Sequence, residues 1–163
     1  MSTEIKSILY ATDQGDNMRP VFRYAVTLAQ KCGAKITMLH VSEVLTQQVH
    51  WAMQTYMPDA DTRQIEKKGM KEVQDRMRVR LAAFCKEELG QSPEESHLID
   101  DVVVVTGKPA ESIVKVAEER NADLIVVGTH TDQSFGASLL GSTARKVTQL
   151  SRKPVLVVPV LEK

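Results

Sequence analysis

Apolar positions along this chain follow two rhythms. Short, β-branched runs occupy residues 6–12 (KSILYAT), 34–41 (AKITMLHV), 100–106 (DDVVVVT), 122–128 (ADLIVVG) and 154–160 (PVLVVPV). They are apolar on consecutive residues, as strands covered on both faces must be, so they predict five buried strands. Between them the apolar positions recur at helical spacing. Val21, Ala25, Leu28 and Cys32 form one stripe. Ile65, Val73, Met77, Leu81 and Phe84 mark a longer helix over residues 62–89. Ala110, Ile113, Val114 and Ala117 mark a third helix, and Leu140, Ala144 and Val147 a fourth. Each stripe is one face of a 3.6-residue period. Pro109 suits a first helical turn, while Gly33 and Gly90 suit helix ends. Strand alternating with helix predicts an α/β domain, a parallel sheet with right-handed crossovers and helices on both faces. The one irregular stretch, residues 42–61 with Trp51, Tyr56 and Met57, reads either as a lid or as a surface helix packed on the sheet.

Composition narrows the class. A chain of 163 residues fits a single domain, residues 1–163, with a real core. Lys plus Arg and Asp plus Glu both number 21, so there is no basic field to collect nucleic-acid phosphates. The two cysteines, Cys32 and Cys85, fall in helical stretches and read as reduced thiols, which suits a cytoplasmic protein. No run reaches the ~18 apolar residues of a membrane span, so no membrane insertion is expected. The four histidines share no metal-ligand spacing and no metal site is predicted; His40 reads as a satisfied, semi-buried strand residue.

In such sheets ligands bind beyond the carboxyl ends of the strands, where the strand order reverses. The loop after the first strand, ATDQGDNMRP, has a single glycine and so carries no dinucleotide fingerprint. A phospho-accepting receiver would need further acids and a lysine after later strands, and these are missing. Asp13 remains at the strand end, either capping the following turn, or accepting from an adenine amino group or ribose hydroxyls, or binding a metal. Val41 ends the second strand, where its backbone could pair with a purine edge. Gly128 closes the fourth strand in this reading, where a missing Cβ lets a ligand approach. Beyond it, GASLLGST has the spacing of a P-loop, but Ser142 stands where the lysine should be. Gly141, Ser142 and Thr143 open the last helix, whose free amides favour phosphate.

Together these segments resemble the universal stress protein family. The resemblance rests on ILYATD, MLHV, VVTGKPAESIVKVAEERNADLIVVGTH and LLGSTARKVTQLSRKPVLVVP, and covers essentially the whole chain. It implies a Rossmann-like, three-layer open sheet in the order 3-2-1-4-5. ATP-binding members carry Gly, two residues, Gly, nine residues, Gly, then Ser or Thr. Here Gly128, Thr131, Gly141 and Ser142 fit that spacing, with Thr131 in place of the second glycine. A β-branched residue would be costly there if the site needs positive φ, by on the order of 1–2 kcal/mol. The nucleotide site that the resemblance implies comprises Ala11, Thr12, Asp13, Val41, Val127, Gly128, Thr129, His130, Thr131, Gly141, Ser142 and Thr143. The implied cofactor is ATP or another adenine nucleotide, with or without a divalent cation, held by a sensor or regulator in the stress response. The competing class is a dimeric stress or interaction protein whose cleft Thr131 keeps empty. Slow ATP hydrolysis is the weakest class, because no general base or catalytic set can be named. The resemblance also implies a homodimer through the last strand, from Pro154 to Val160. Pro159 is expected there at a point where the ladder is already broken.

Overall fold

The chain is described as a computed structural model, which covers residues 3–13, 19–43, 47–131 and 140–161. The apolar runs become β1 (Ser7–Ala11), β2 (Lys35–Ser42), β3 (Ile99–Thr106), β4 (Leu124–Thr131) and β5 (Val155–Leu161). All pair in parallel, in the order β3-β2-β1-β4-β5. The order reverses beside β1, so β1 is the switch point.

Helices α1 (Arg19–Cys32) and α3 (Thr62–Phe84) cover one face, around Ile8, Tyr10, Ile36, Met38 and Val126. Helices α5 (Pro109–Glu119) and α6 (Ser142–Leu150) cover the other, around Leu9, Ala11, Leu39, Ile125 and Val127. Consecutive strand residues serve opposite cores, which is why the runs lack alternation. Gly33 and Gly90 sit at φ +66° and +65° at helix ends, in the conformation glycine adopts at least cost.

Several expectations are corrected. The apolar face of α1 is Val21, Phe22, Ala25, Val26 and Ala29, and Cys32 is exposed at the helix end. Ile65 is exposed, because α3 meets the core only from Val73 onward, through Val73, Met77, Leu81 and Phe84. It continues without a break into a π-helical turn, Cys85–Leu89. Leu140 precedes α6 and is exposed. The segment after β2 forms helix α2 (Gln47–Tyr56), with Trp51 72% and Tyr56 84% exposed, so these aromatic rings do not pack on the sheet. A short helix, α4 (Pro93–Ser96), precedes β3 and starts with a capping box between Ser92 and Glu95.

β4 does not close at Gly128. Gly128, Thr129, His130 and Thr131 pair with Val158, Pro159, Val160 and Leu161, so the partner strand carries β4 three residues further. Pro159 does not mark a broken ladder either. Ile125 N–H donates to the Pro154 carbonyl, so even-numbered residues of β5 face β4 and odd-numbered ones face outward. The donor that Pro159 lacks is therefore missing from the free outer edge.

Candidate functional site

The central strand is the shortest. β1 ends at Ala11, in register with Leu39 on one side and Val127 on the other. β2 continues through His40, Val41 and Ser42 on the support of β3, and β4 continues from Gly128 to Thr131 on the support of β5. The step between a short central strand and two longer neighbours is a notch at the switch point. Helix α5 walls it from the loop after β3. A Cβ on Gly107 would lie 2.5 Å from Ser112 Oγ, so that loop lies close against the first turn of α5.

The resulting cleft has a volume of about 420 Å³, within the range of small-molecule sites. Ala11, Thr12, Asp13, Val41, Val127, Gly128 and Thr143, all singled out in the sequence, line it. Leu39, His40, Ser42, Glu43, Pro109 and Ile113 line it too. Sequence reasoning missed these six. Pro109 and Ile113 belong to the third crossover, and only the right-handed rule, which puts α5 beside α6, would have found them.

The two ends of the cleft differ in charge. Asp13 and Glu43 place exposed carboxylates at the β1–β2 end. At the β4 end, α6 starts at Ser142 with Gly141 as its N-cap. Glycine offers no side-chain acceptor, so among the described residues no side chain caps the first-turn amides, which lie in a positive partial field beside Thr143 at the cleft end. The buried Thr129 hydroxyl accepts from Gly141 N–H at 2.7 Å, tying the start of α6 to β4. Thr129 thus acts through the loop it holds. Ser142 is exposed in the first turn of the helix, beside Thr143. On the outer side of α6, Lys146 Nζ donates to Glu111 of α5 at 2.5 Å. That contact holds the Glu111 carboxyl below its usual range.

His130 and Thr131 lie within β4 rather than in a loop, and their side chains fall outside the described residues. Thr131 pairs with Leu161, and the non-glycine residues at positive φ among the described ones are His97 and Asn121. The cost expected for a β-branched residue at positive φ therefore does not arise, since extended backbone is what threonine favours.

At the other end, Thr12 N–H donates to the Leu39 carbonyl at 2.8 Å, and His40 Nδ1 lies 2.9 Å from the Thr12 carbonyl. A carbonyl only accepts, so Nδ1 carries the proton and donates. His40 is half-buried and satisfied, as expected, and also lines the cleft. Below the notch, burial pushes the Tyr10 phenol up to about 12, against a hydrogen bond with Thr12 and with help from the Asp13 charge. Among the described residues no group of three or more His, Cys, Asp or Glu side chains could hold a metal ion. No helix among them is long and apolar enough to cross a membrane.

Known proteins share this sequence pattern and fold. The model of the Universal stress protein family matches residues 4–159. A universal stress protein of Thermus aquaticus is 30% identical over 94% of this chain and 98% of its own. One from Methanocaldococcus jannaschii is 27% identical over 97% of both chains. The solved structure of that archaeal protein superposes with a TM-score of 0.69, covering 98% of this chain and 99% of its own at 26% identity. Two further structures share the fold. A universal stress protein in complex with cAMP covers 97% of this chain and 99% of its own at 22% identity and a TM-score of 0.55. Another, from Archaeoglobus fulgidus in complex with dAMP, covers 96% and 98% at 20% identity and a TM-score of 0.52. With the family model matched over residues 4–159 and a relative 30% identical over nearly its whole length, the chain belongs to the universal stress protein family.

Proposed function

We propose that this protein binds ATP or another adenine nucleotide in the notch above β1, and acts as a cytoplasmic sensor or regulator in the stress response. The observation that carries the reading is the polarity of the cleft. Strand-end peptides and the Asp13 carboxylate at one end suit a base and ribose. The uncapped start of α6 at the other end suits phosphates without a lysine. That universal stress proteins of the same fold hold cAMP and dAMP supports an adenine ligand. The regulatory output fits a homodimer through the outer edge of β5. There the outward peptide groups of Val155 and Val157 are free of β4, and Pro159 removes the next donor.

Calorimetry with ATP, and native mass spectrometry of untreated protein, test the reading. Gly141 has φ −53° and ψ 150°, which any residue can adopt, so Gly141→Val changes space and not strain. It should abolish binding and leave the subunit count unchanged. Asp13→Ala should weaken binding by about 1–3 kcal/mol, the usual worth of a charged hydrogen bond. If the wild type gives no heat and retains no nucleotide, while Thr131→Gly binds, Thr131 keeps the cleft empty and the protein is a stress protein without nucleotide. A single-subunit mass at micromolar concentration would refute the dimer.

A further inference from the structure

The β1–β2 ladder stops one rung early, and a side chain stands where the rung would be. Lys35 N–H donates to the Lys6 carbonyl, and the Leu39 carbonyl accepts from Thr12 N–H. Odd-numbered residues of β2 therefore turn their peptide groups toward β1. Even-numbered ones turn toward β3, as Ile36 N–H to the Leu98 carbonyl and Gly107 N–H to the Ser42 carbonyl confirm. By this alternation the next rung would run from Val41 N–H to the Thr12 carbonyl. It is not formed: the register ends at the pair Ala11 and Leu39. His40 Nδ1–H occupies the Thr12 carbonyl instead, at 2.9 Å. No acceptor for Val41 N–H is found among the described residues, and Val41 lines the cleft.

We propose that His40 is a positioning residue that ends the β1–β2 ladder, keeping the Val41 amide open toward the cleft as a hydrogen-bond donor for the ring-nitrogen edge of a purine. The physical reason is competition for one carbonyl. A buried amide is costly to leave unpaired, so without another donor on Thr12 the strands would zip by one residue. Zipping would draw Thr12 toward β2, closing the step between β1 and β2 on which the notch depends. His40 satisfies the Thr12 carbonyl from the side and leaves the strand-end amide for the ligand. Its own backbone pairs with β3, in register with Val104, so the side chain can do this without disturbing β2.

The choice of ligand rests on the nucleotide reading, but the ladder claim does not, so one experiment separates them. Amide hydrogen exchange is measured at Leu39 and Val41 in ligand-free wild type, His40→Leu and His40→Asn, and ATP affinity is measured on the same samples. In the wild type Leu39 should exchange slowly and Val41 fast, and ATP should slow Val41. In His40→Leu the ladder zips: Val41 becomes slow without ligand, and ATP affinity falls about tenfold, the loss of one hydrogen bond. Asparagine places an amide N–H near the position of Nδ1, so His40→Asn should restore fast exchange at Val41 and most of the affinity. Slow exchange at Val41 in the ligand-free wild type overturns the proposal even if no variant folds. So does fast exchange that persists in a folded His40→Leu. If ATP fails to bind while the exchange pattern holds, the nucleotide reading fails and the ladder device stands.

Discussion

The two faces of the sheet are built from different side chains. The α1–α3 face is filled by bulk: Tyr10, Phe22, Met38, Met77 and Phe84. Tyr10 and Phe22 lie 5.1 Å apart between ring centroids, and Phe22 and Phe84 lie edge-on at 4.6 Å. Arg19 stacks over Phe84 at 5.4 Å and pairs with Glu87 of the π-helical turn. Among the described residues the α5–α6 face holds no aromatic side chain. Ala11, Ala110, Ala117, Ala122 and Ala144 let its helices lie close to the strands, with Leu, Ile and Val between them. Large rings on one side contribute most to burial, at roughly 25 cal/mol per Å² of apolar surface. Small side chains on the other side bring helix starts and strand ends together without filling the space between them. The cleft opens on the small-residue face for that reason.

This contrast can be broken most sharply at Phe84. Phe84→Ala should cost about 3–5 kcal/mol of stability by denaturant titration, the range for deleting a buried ring. It should leave the ligand affinity of the folded fraction unchanged. A large affinity loss would mean that the bulky face also shapes the cleft.

Tyr10 gives the next largest effect, through pH. Its folded pKa of about 12 lies above the usual phenol value of 10, because the ring is buried. Below pH 10 both states keep the proton and the contribution is constant. As pH rises from 10 through 12 the unfolded phenol ionises first, so stability falls, by up to about 3 kcal/mol. Comparing the wild type with Tyr10→Phe across that window isolates this residue from the lysines and cysteines that titrate nearby. Parallel curves for the two proteins would show that the phenol is less buried than described.

On the small-residue face, Ala144→Leu should cost about 1–3 kcal/mol by overpacking. Unlike Phe84→Ala, it should weaken ligand binding as well, because it lifts α6 away from β4. Equal stability loss with intact affinity would refute the division of roles between the faces. The smallest effect is expected at Thr129. Thr129→Val removes the acceptor of Gly141 N–H and should cost about 1 kcal/mol, seen in thermal unfolding, with a modest loss of ligand affinity.

Most of the architecture was legible in the residues. Except at the end of β4, three residues past its run, the five apolar runs lie within one or two residues of the strands, and Gly33, Gly90 and Pro109 sit at the helix termini they were expected to mark. The errors share a cause. Ile65 and Leu140 obey the helical period, yet one lies on a stretch of α3 that has not reached the core and the other precedes α6. Periodicity reports which positions share a face, not whether another element comes to cover it. The end of β4 was misjudged at Gly128 because a glycine after an apolar run signals a stop, and only pairing with β5 shows that the strand goes on. Seven of the twelve residues expected at the site line the cleft directly. Thr129 instead braces the start of α6.

The sequence by itself determined the strands and helices, and through its spacing of Gly128, Gly141 and Ser142 it determined which loops to inspect. These are properties of local order: apolar period, turn chemistry and capping act over a few residues of one chain segment. The notch was decided only by the tertiary structure. Its depth is the difference in length between β1 and the two strands beside it, and those lengths are set by the outer neighbours β3 and β5, far away in sequence. The same holds for His40. Its residue type is compatible with any half-buried strand position. That it takes the Thr12 carbonyl in place of the Val41 amide follows from the register between two strands, which no single segment encodes.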